Sequence, residues 1–136
     1  MSGPILVTDR DKARLSEIVE LFSTKRYDVL VAFLRRELER AKVIASERVP
    51  RHVATMNSRV RYRDDTTGDV LSVTLVYPGE EDDLLGRISI LSPLGTALLG
   101  LSEGQSIAWT SLDGRRRRVT LLEVVYQPEA AGRFES

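Results

Sequence analysis

The stretch Ser89-Ile-Leu-Ser-Pro-Leu-Gly-Thr-Ala-Leu-Leu-Gly-Leu-Ser-Glu-Gly-Gln105 constrains the fold of this chain more than any other. It reads as a strand end, a Ser-Pro helix start, one short apolar helix, a glycine stop and a tight turn. Ser92 can accept from a first-turn N–H, and Pro93 suits the first helical position, where its missing donor would be unpaired anyway. Leu94, Ala97, Leu98 and Leu101 follow at helical spacing, and Gly100 can adopt the left-handed conformation that ends the helix. A helix so short and apolar must pack on the sheet formed by the strands around it.

The remainder reads around that element. The first seven residues form a short extended arm. Thr8 or Asp9 caps a helix with Asp11 in its first turn, and Leu15, Ile18, Val19 and Phe22 make one apolar stripe. After the polar break Ser23-Thr24-Lys25-Arg26, a second helical face runs through Tyr27, Leu30, Val31, Leu34, Leu38 and Ala41. The two helices form an antiparallel hairpin (residues 1–45) with arms about 20 to 25 Å long. Residues 46–52, with Pro50, are the linker. From Val53 to the end the period is two. Strands are expected at Arg59–Arg63, Val70–Tyr77, Arg87–Leu91, Ser106–Thr110 and Arg117–Tyr126, the last two joined through Asp113-Gly114. The expected fold is α+β: a short helical hairpin, then an antiparallel sheet packed by one helix.

Lys plus Arg number 20 and Asp plus Glu number 20, so general polyanion binding is not expected. The absence of cysteine excludes disulfides, thiolate zinc sites and cysteine nucleophiles. No apolar run reaches membrane-span length and no signal peptide is evident, so a cytoplasmic location is expected, with no membrane partner.

Val53-Ala-Thr-Met-Asn-Ser-Arg-Val60, Thr74-Leu-Val-Tyr-Pro78, Ser92-Pro-Leu-Gly-Thr-Ala-Leu-Leu-Gly-Leu101, Glu103-Gly104 and Val125-Tyr-Gln-Pro-Glu-Ala-Ala-Gly132 resemble the Rnk proteins. These are bacterial regulators of nucleoside diphosphate kinase, related to the Gre transcript-cleavage factors and sharing their FKBP-like C-terminal domain, here residues 53–136. The resemblance implies RNA polymerase as the partner. In Gre factors the globular domain docks at the rim of the secondary channel. Two acids at the hairpin tip hold magnesium beside the polymerase active site, a task suited to carboxylates because magnesium is a hard cation. Here the hairpin is shorter, and its tip carries Lys25, Arg26, Tyr27 and Asp28, two cations and a single acid. The implied role is a non-catalytic regulator that binds polymerase near the secondary channel, competes with Gre factors and does not stimulate cleavage. No cofactor or metal is implied.

By position, the docking corner of Gre factors falls on Leu91, Ser92 and Pro93; Gre factors often have an acid where this chain has Leu91. Ser92 and Pro93 are also fully explained as a helix start. Arg115, Arg116, Arg117 and Arg118 are a candidate basic contact with polymerase or with nucleic acid near it, or edge-strand protection. Glu80-Glu-Asp-Asp83 is a solvated loop or an attractor for a cation or a basic partner. His52, the single histidine, stands in the linker with no nucleophile motif nearby. Trp109 and Tyr126 are packing residues with a wet edge. Two other functions stay open. One is a different route to nucleoside diphosphate kinase. The other is peptidyl-prolyl isomerisation, which needs an aromatic-lined pocket, whereas only Tyr62, Tyr77, Trp109 and Tyr126 lie in the expected strands. The sequence leaves the oligomeric state open.

Overall fold

The structure, a computed structural model, describes residues 4–111 and 113–134. The N-terminal part is wound from β1 (Leu6–Thr8), α1 (Asp9–Leu21), α2 (Asp28–Arg40) and β2 (Lys42–Ile44). Thr8 is the cap of α1, its hydroxyl accepting from Asp11 N at 3.1 Å. Between the helices, Phe22 and Tyr27 meet edge-to-face at 5.3 Å.

The expected extended arm is more than an arm. β1 pairs in parallel with β2, Leu6 opposite Lys42 and Thr8 opposite Ile44, so the hairpin starts and ends side by side. Strands of three residues are too short for a period-two pattern to register. The base is closed further by Asp9, whose carboxylate accepts from Ser46 N (3.2 Å) and Oγ (2.8 Å). The Ser46 hydroxyl bond holds the Asp9 carboxyl below its usual range.

The second part contains β3 (Arg59–Asp64), β4 (Val70–Val76), β5 (Arg87–Ser89), α3 (Pro93–Leu98), β6 (Ser106–Thr110) and β7 (Arg116–Tyr126). They form one sheet in the order β5-β4-β3-β7-β6. It is mixed rather than wholly antiparallel, because β4 and β5 run parallel, Thr74 opposite Arg87. Antiparallel neighbours can share a tight turn, whereas a parallel pair needs a longer connection. That connection is the acidic loop, which ends in a 3₁₀ turn, Asp83–Leu85, before Gly86.

The helical hairpin and the sheet share one hydrophobic core. Leu15, Val19, Val31, Leu34 and Leu38 of the helices join Ile90, Leu91, Ala97, Leu98, Trp109 and Leu121 in a single buried cluster. The thin core of two isolated helices is thereby supplemented by the sheet. Phe33 of α2 stacks on Trp109 of β6 at 6.5 Å, with the rings 29° apart. Gly100 has φ +81°, as a helix stop requires, and its missing side chain has a second use. A Cβ there would lie 2.9 Å from Ile5 Cβ and 3.0 Å from Leu6 O, so glycine admits the N-terminal strand.

Candidate functional site

The Ser-Pro corner between β5 and α3 is built by a small set of hydrogen bonds. Ser92 Oγ accepts from Gly95 N at 3.0 Å and donates to Ser89 O at 2.7 Å. Ser92 N donates to the same carbonyl at 3.0 Å, and Leu91 N donates to Ser89 Oγ at 3.1 Å. Thr96 Oγ1, buried beneath, donates to Ile90 O at 2.7 Å. Pro93 occupies the first turn of α3. The corner is therefore closely hydrogen-bonded, and its outer residues, Ser92 and Pro93, are half-buried. Leu91 is different: at 4% exposure it belongs to the core. Replacing Ser92 by alanine is expected to lower stability by about 1 to 2 kcal/mol, read as a shifted denaturation midpoint, because a cap and its reciprocal bond are lost together.

Two clefts flank this corner, and the first turns of α2 separate them. Ser89, Leu91 and Ser92 line the first, about 430 Å³, with Phe22, Tyr27 and Leu30 from the hairpin and Pro78, Gly79 and Glu81 from the acidic loop. Pro93 lines the second, about 770 Å³, which runs between α2 and β6 past Leu30, Phe33, Arg36 and Trp109. The fold thus brings three regions singled out in the sequence to one place: the corner, the hairpin tip through Tyr27, and the acidic loop through Glu81. Lys25, Arg26 and Asp28 are exposed beside Tyr27, and the Arg26 guanidinium lies 5.4 Å from the Tyr27 ring centroid.

The arginine run sits elsewhere, at the β6–β7 tip, and much of its charge is already matched. Arg117 reaches Asp64 at 3.2 Å, Arg118 reaches Asp65 at 3.8 Å, and Arg115 reaches Asp113 at 3.6 Å. Arg63 also pairs with Asp65 at 2.7 Å. The Asp65 carboxyl is held below its usual range, first by the Thr120 hydroxyl and then by Arg63. His52 is exposed, and among the described residues no three His, Asp or Glu side chains converge as metal ligands. Trp109 Nε1 is buried without a hydrogen-bond partner among the described residues, while Tyr126 is exposed at the end of β7.

A buried polar junction ties the two parts together below this face. Asp11, 5% exposed, accepts from Met56 N at 3.1 Å. Glu129 from the tail accepts from Thr55 Oγ1 at 2.7 Å. Burial pushes the Asp11 carboxyl up to about 6; the Met56 bond opposes this and the charge of Glu129 adds to it. Burial and the Asp11 charge likewise raise the Tyr77 phenol, against the influence of Arg14. The Thr-Met-Asn-Ser loop, Tyr77 and the Gln-Pro-Glu tail therefore surround one carboxylate. The sequence contained a signal for this: Asp11 lies one helical turn before Leu15, in line with the apolar stripe.

The chain matches two known families in succession. The Rnk N-terminus family covers residues 4–44, and the GreA/GreB transcription elongation factor C-terminal family covers residues 49–126. It is 40% identical over 135 residues to the regulator of nucleoside diphosphate kinase of Escherichia coli K12, covering 98% of each protein. Over 71 residues it is 42% identical to transcription elongation factor GreA of Syntrophobacter fumaroxidans, spanning 52% of this chain and 45% of that protein. Its fold superimposes on the prokaryotic transcription elongation factor GreA/GreB from Nitrosomonas europaea with a TM-score of 0.70 and 39% identity, over 91% of this chain and 99% of the other.

Proposed function

The chain belongs to the Rnk family of Gre-factor relatives, and on that premise we propose that it is a non-catalytic regulator of transcription that binds RNA polymerase near the secondary channel. It competes there with Gre factors and does not stimulate transcript cleavage. The globular part, residues 53–136, provides the docking corner at Ser92 and Pro93, with Leu91 supporting it from within. The hairpin of residues 1–45, joined through residues 46–52, lies against that corner.

The observation that carries this reading is the hairpin tip. Lys25 and Arg26 face solvent there with Asp28 as the only acid of the tip, so the tip lacks the carboxylate pair that the Gre reaction needs to hold magnesium. Reach argues in the same direction. Each helix has 13 residues, about 20 Å of arm, and its inner end packs on the sheet. A protein with the docking corner but without the acids occupies the site and leaves the chemistry undone.

The test uses purified full-length chain, core polymerase and a Gre factor. The chain is expected to bind polymerase, to displace the Gre factor as its concentration rises, and to leave a stalled transcript uncut. Absence of binding, or transcript cleavage when the chain alone is added, would refute the proposal.

A further inference from the structure

The residues after β7 cross back over the chain rather than leaving it. Gln127, 4% exposed, donates from Nε2 to Pro50 O and Val53 O, both at 2.8 Å, and accepts from Ala130 N at 3.1 Å. One buried amide thus pins the end of β7 to the linker and starts a compact turn. Pro128 O accepts from Ala131 N at 3.0 Å and from Arg133 N at 2.8 Å, which closes that turn. Glu129, within it, accepts from Thr55 Oγ1, and Thr55 Oγ1 shares a 2.7 Å hydrogen bond with Ser58 Oγ. Phe134 then reaches α1: its carbonyl accepts from Arg10 Nη1 at 2.7 Å, and its ring centroid lies 5.9 Å from the Arg10 guanidinium.

Residues 127–134 therefore hold the linker, the Thr-Met-Asn-Ser loop and the first turn of α1 in succession. That first turn also carries Asp11, whose carboxylate accepts from Met56 N of the same loop. Around Asp11 stand Glu129 on the tail, the Tyr77 phenol just beyond β4 and Arg14 on its own helix. Burial raises the Tyr77 phenol further from neutrality, and an arginine stays charged throughout. Among these groups Asp11 is the one that changes charge close to neutral pH. Once ionised it confronts the like charge of Glu129 at a junction where burial limits screening.

We propose that residues 127–134 form a pH-sensitive strap across the base of the hairpin, closed while Asp11 is protonated and loosened once Asp11 and Glu129 are both ionised. Closure raises the affinity of Asp11 for its proton, first through burial and further through the charge of Glu129, with the Met56 bond opposing. The closed form is therefore favoured in acid, and its advantage is lost as pH rises through about 6. Above that range the hairpin stays fastened by β1 and β2 while the tail opens more often. The strap needs no partner, so it is tested on the isolated chain.

The experiment follows amide hydrogen exchange by NMR in the full chain at about pH 5 and about pH 7.5, as protection factors, so that the intrinsic effect of pH on exchange cancels. The reporters are Ala130, Ala131 and Arg133 of the tail; the control is Gly68, whose N–H bonds to Asp64 O in the turn between β3 and β4. Tail protection is expected to fall by about three- to ten-fold from the lower to the higher pH, with Gly68 unchanged. Asp11→Asn is expected to abolish the fall. Glu129→Gln, which keeps an acceptor for Thr55, is expected to shrink it, and it provides the same test from the tail if the buried variant does not fold. Arg10→Ala is expected to lower tail protection at both pH values, since it releases Phe134. His52 lines a surface cleft with Gln127 and Ala130, and imidazoles change charge in this range; His52→Gln is expected to keep the wild-type fall. Tail protection that ignores pH, that falls in step with Gly68, or that falls in full in either carboxylate variant would overturn the strap. So would loss of the fall in His52→Gln, or an Arg10→Ala tail as protected as wild type.

Discussion

Replacing Gly95 by alanine is expected to destabilise the protein by about 3 kcal/mol, against a helix-propensity gain of about 1 kcal/mol. The two effects oppose, and geometry decides between them. A Cβ at position 95 would sit 2.3 Å from Ser89 O, 3.0 Å from Ser92 Oγ and 3.1 Å from Ile90 Cα. The nearest obstacle is backbone, so no rotamer change relieves it. That carbonyl also accepts from both Ser92 N and Ser92 Oγ, so moving it disturbs the helix start with the strand end. The melting midpoint should fall by about 10 °C. Gly104→Ala is the comparison. Nothing lies within 4 Å of a Cβ there, though φ is +90°, so only the conformational cost of about 1 kcal/mol is expected. A Gly95→Ala variant as stable as wild type would show that the close approach of α3 to β5 is not a constraint.

The second large effect is a pH dependence set at Asp11. Its carboxyl titrates near 6 in the folded protein, chiefly because it is buried, against about 3.9 in an unfolded chain. The native state therefore binds the proton more tightly. Stability from this group is greatest below the unfolded value, falls as pH rises from about 4 to 6, and levels off above. The difference between about 3.9 unfolded and about 6 folded corresponds to about 3 kcal/mol lost at neutral pH. Asp11→Asn keeps an oxygen able to accept from Met56 N and removes the charge that confronts Glu129 and Tyr77 across the junction, with Arg14 on its own helix. The variant should be more stable than wild type by about 2 to 3 kcal/mol at pH 7, with the difference closing toward pH 4. Denaturant titrations at several pH values measure it. The exposed Asp9 and Asp113, whose carboxyls are lowered, slope the other way in both proteins and cancel in the comparison. An equal gap at all pH values would mean that Asp11 is not the titrating group.

Much of this architecture follows from local pattern. The stripe Leu15, Ile18, Val19, Phe22 and the face from Tyr27 to Ala41 define α1 and α2 within a residue or two. Thr8 and Ser92 act as caps, as their side chains allow. Strands β3, β4, β6 and β7 lie where alternation places them. The missing features are those decided by contacts distant in sequence. β1 and β2 consist of three residues each and exist only because the hairpin returns to its start. The parallel sense of β4 and β5 depends on the path of a loop whose composition signals only solvation. At the site, Ser92 and Pro93 are readable as a corner. The placement of Tyr27 beside them depends on how α2 rests on α3, which no local pattern encodes. Leu91 and Asp11 illustrate opposite cases: an apolar residue whose burial separates it from the half-buried Ser92 and Pro93, and an acid that keeps its place on a stripe bound for the interior.

The pairing of β1 with β2 also makes the reach of the hairpin adjustable. Lys42 N donates to Ile5 O at 3.0 Å, and Leu6 N to Gly100 O at 3.1 Å, so the way in and the way out are fastened at one point of the body. Two turns added to each helix at the tip would carry that tip about 11 Å further while the fastening stays where it is. A lineage with this base can lengthen or shorten its arm as a telescoping part without unfastening it from the body. Length and tip chemistry then become separate variables, each free to change without rebuilding the other.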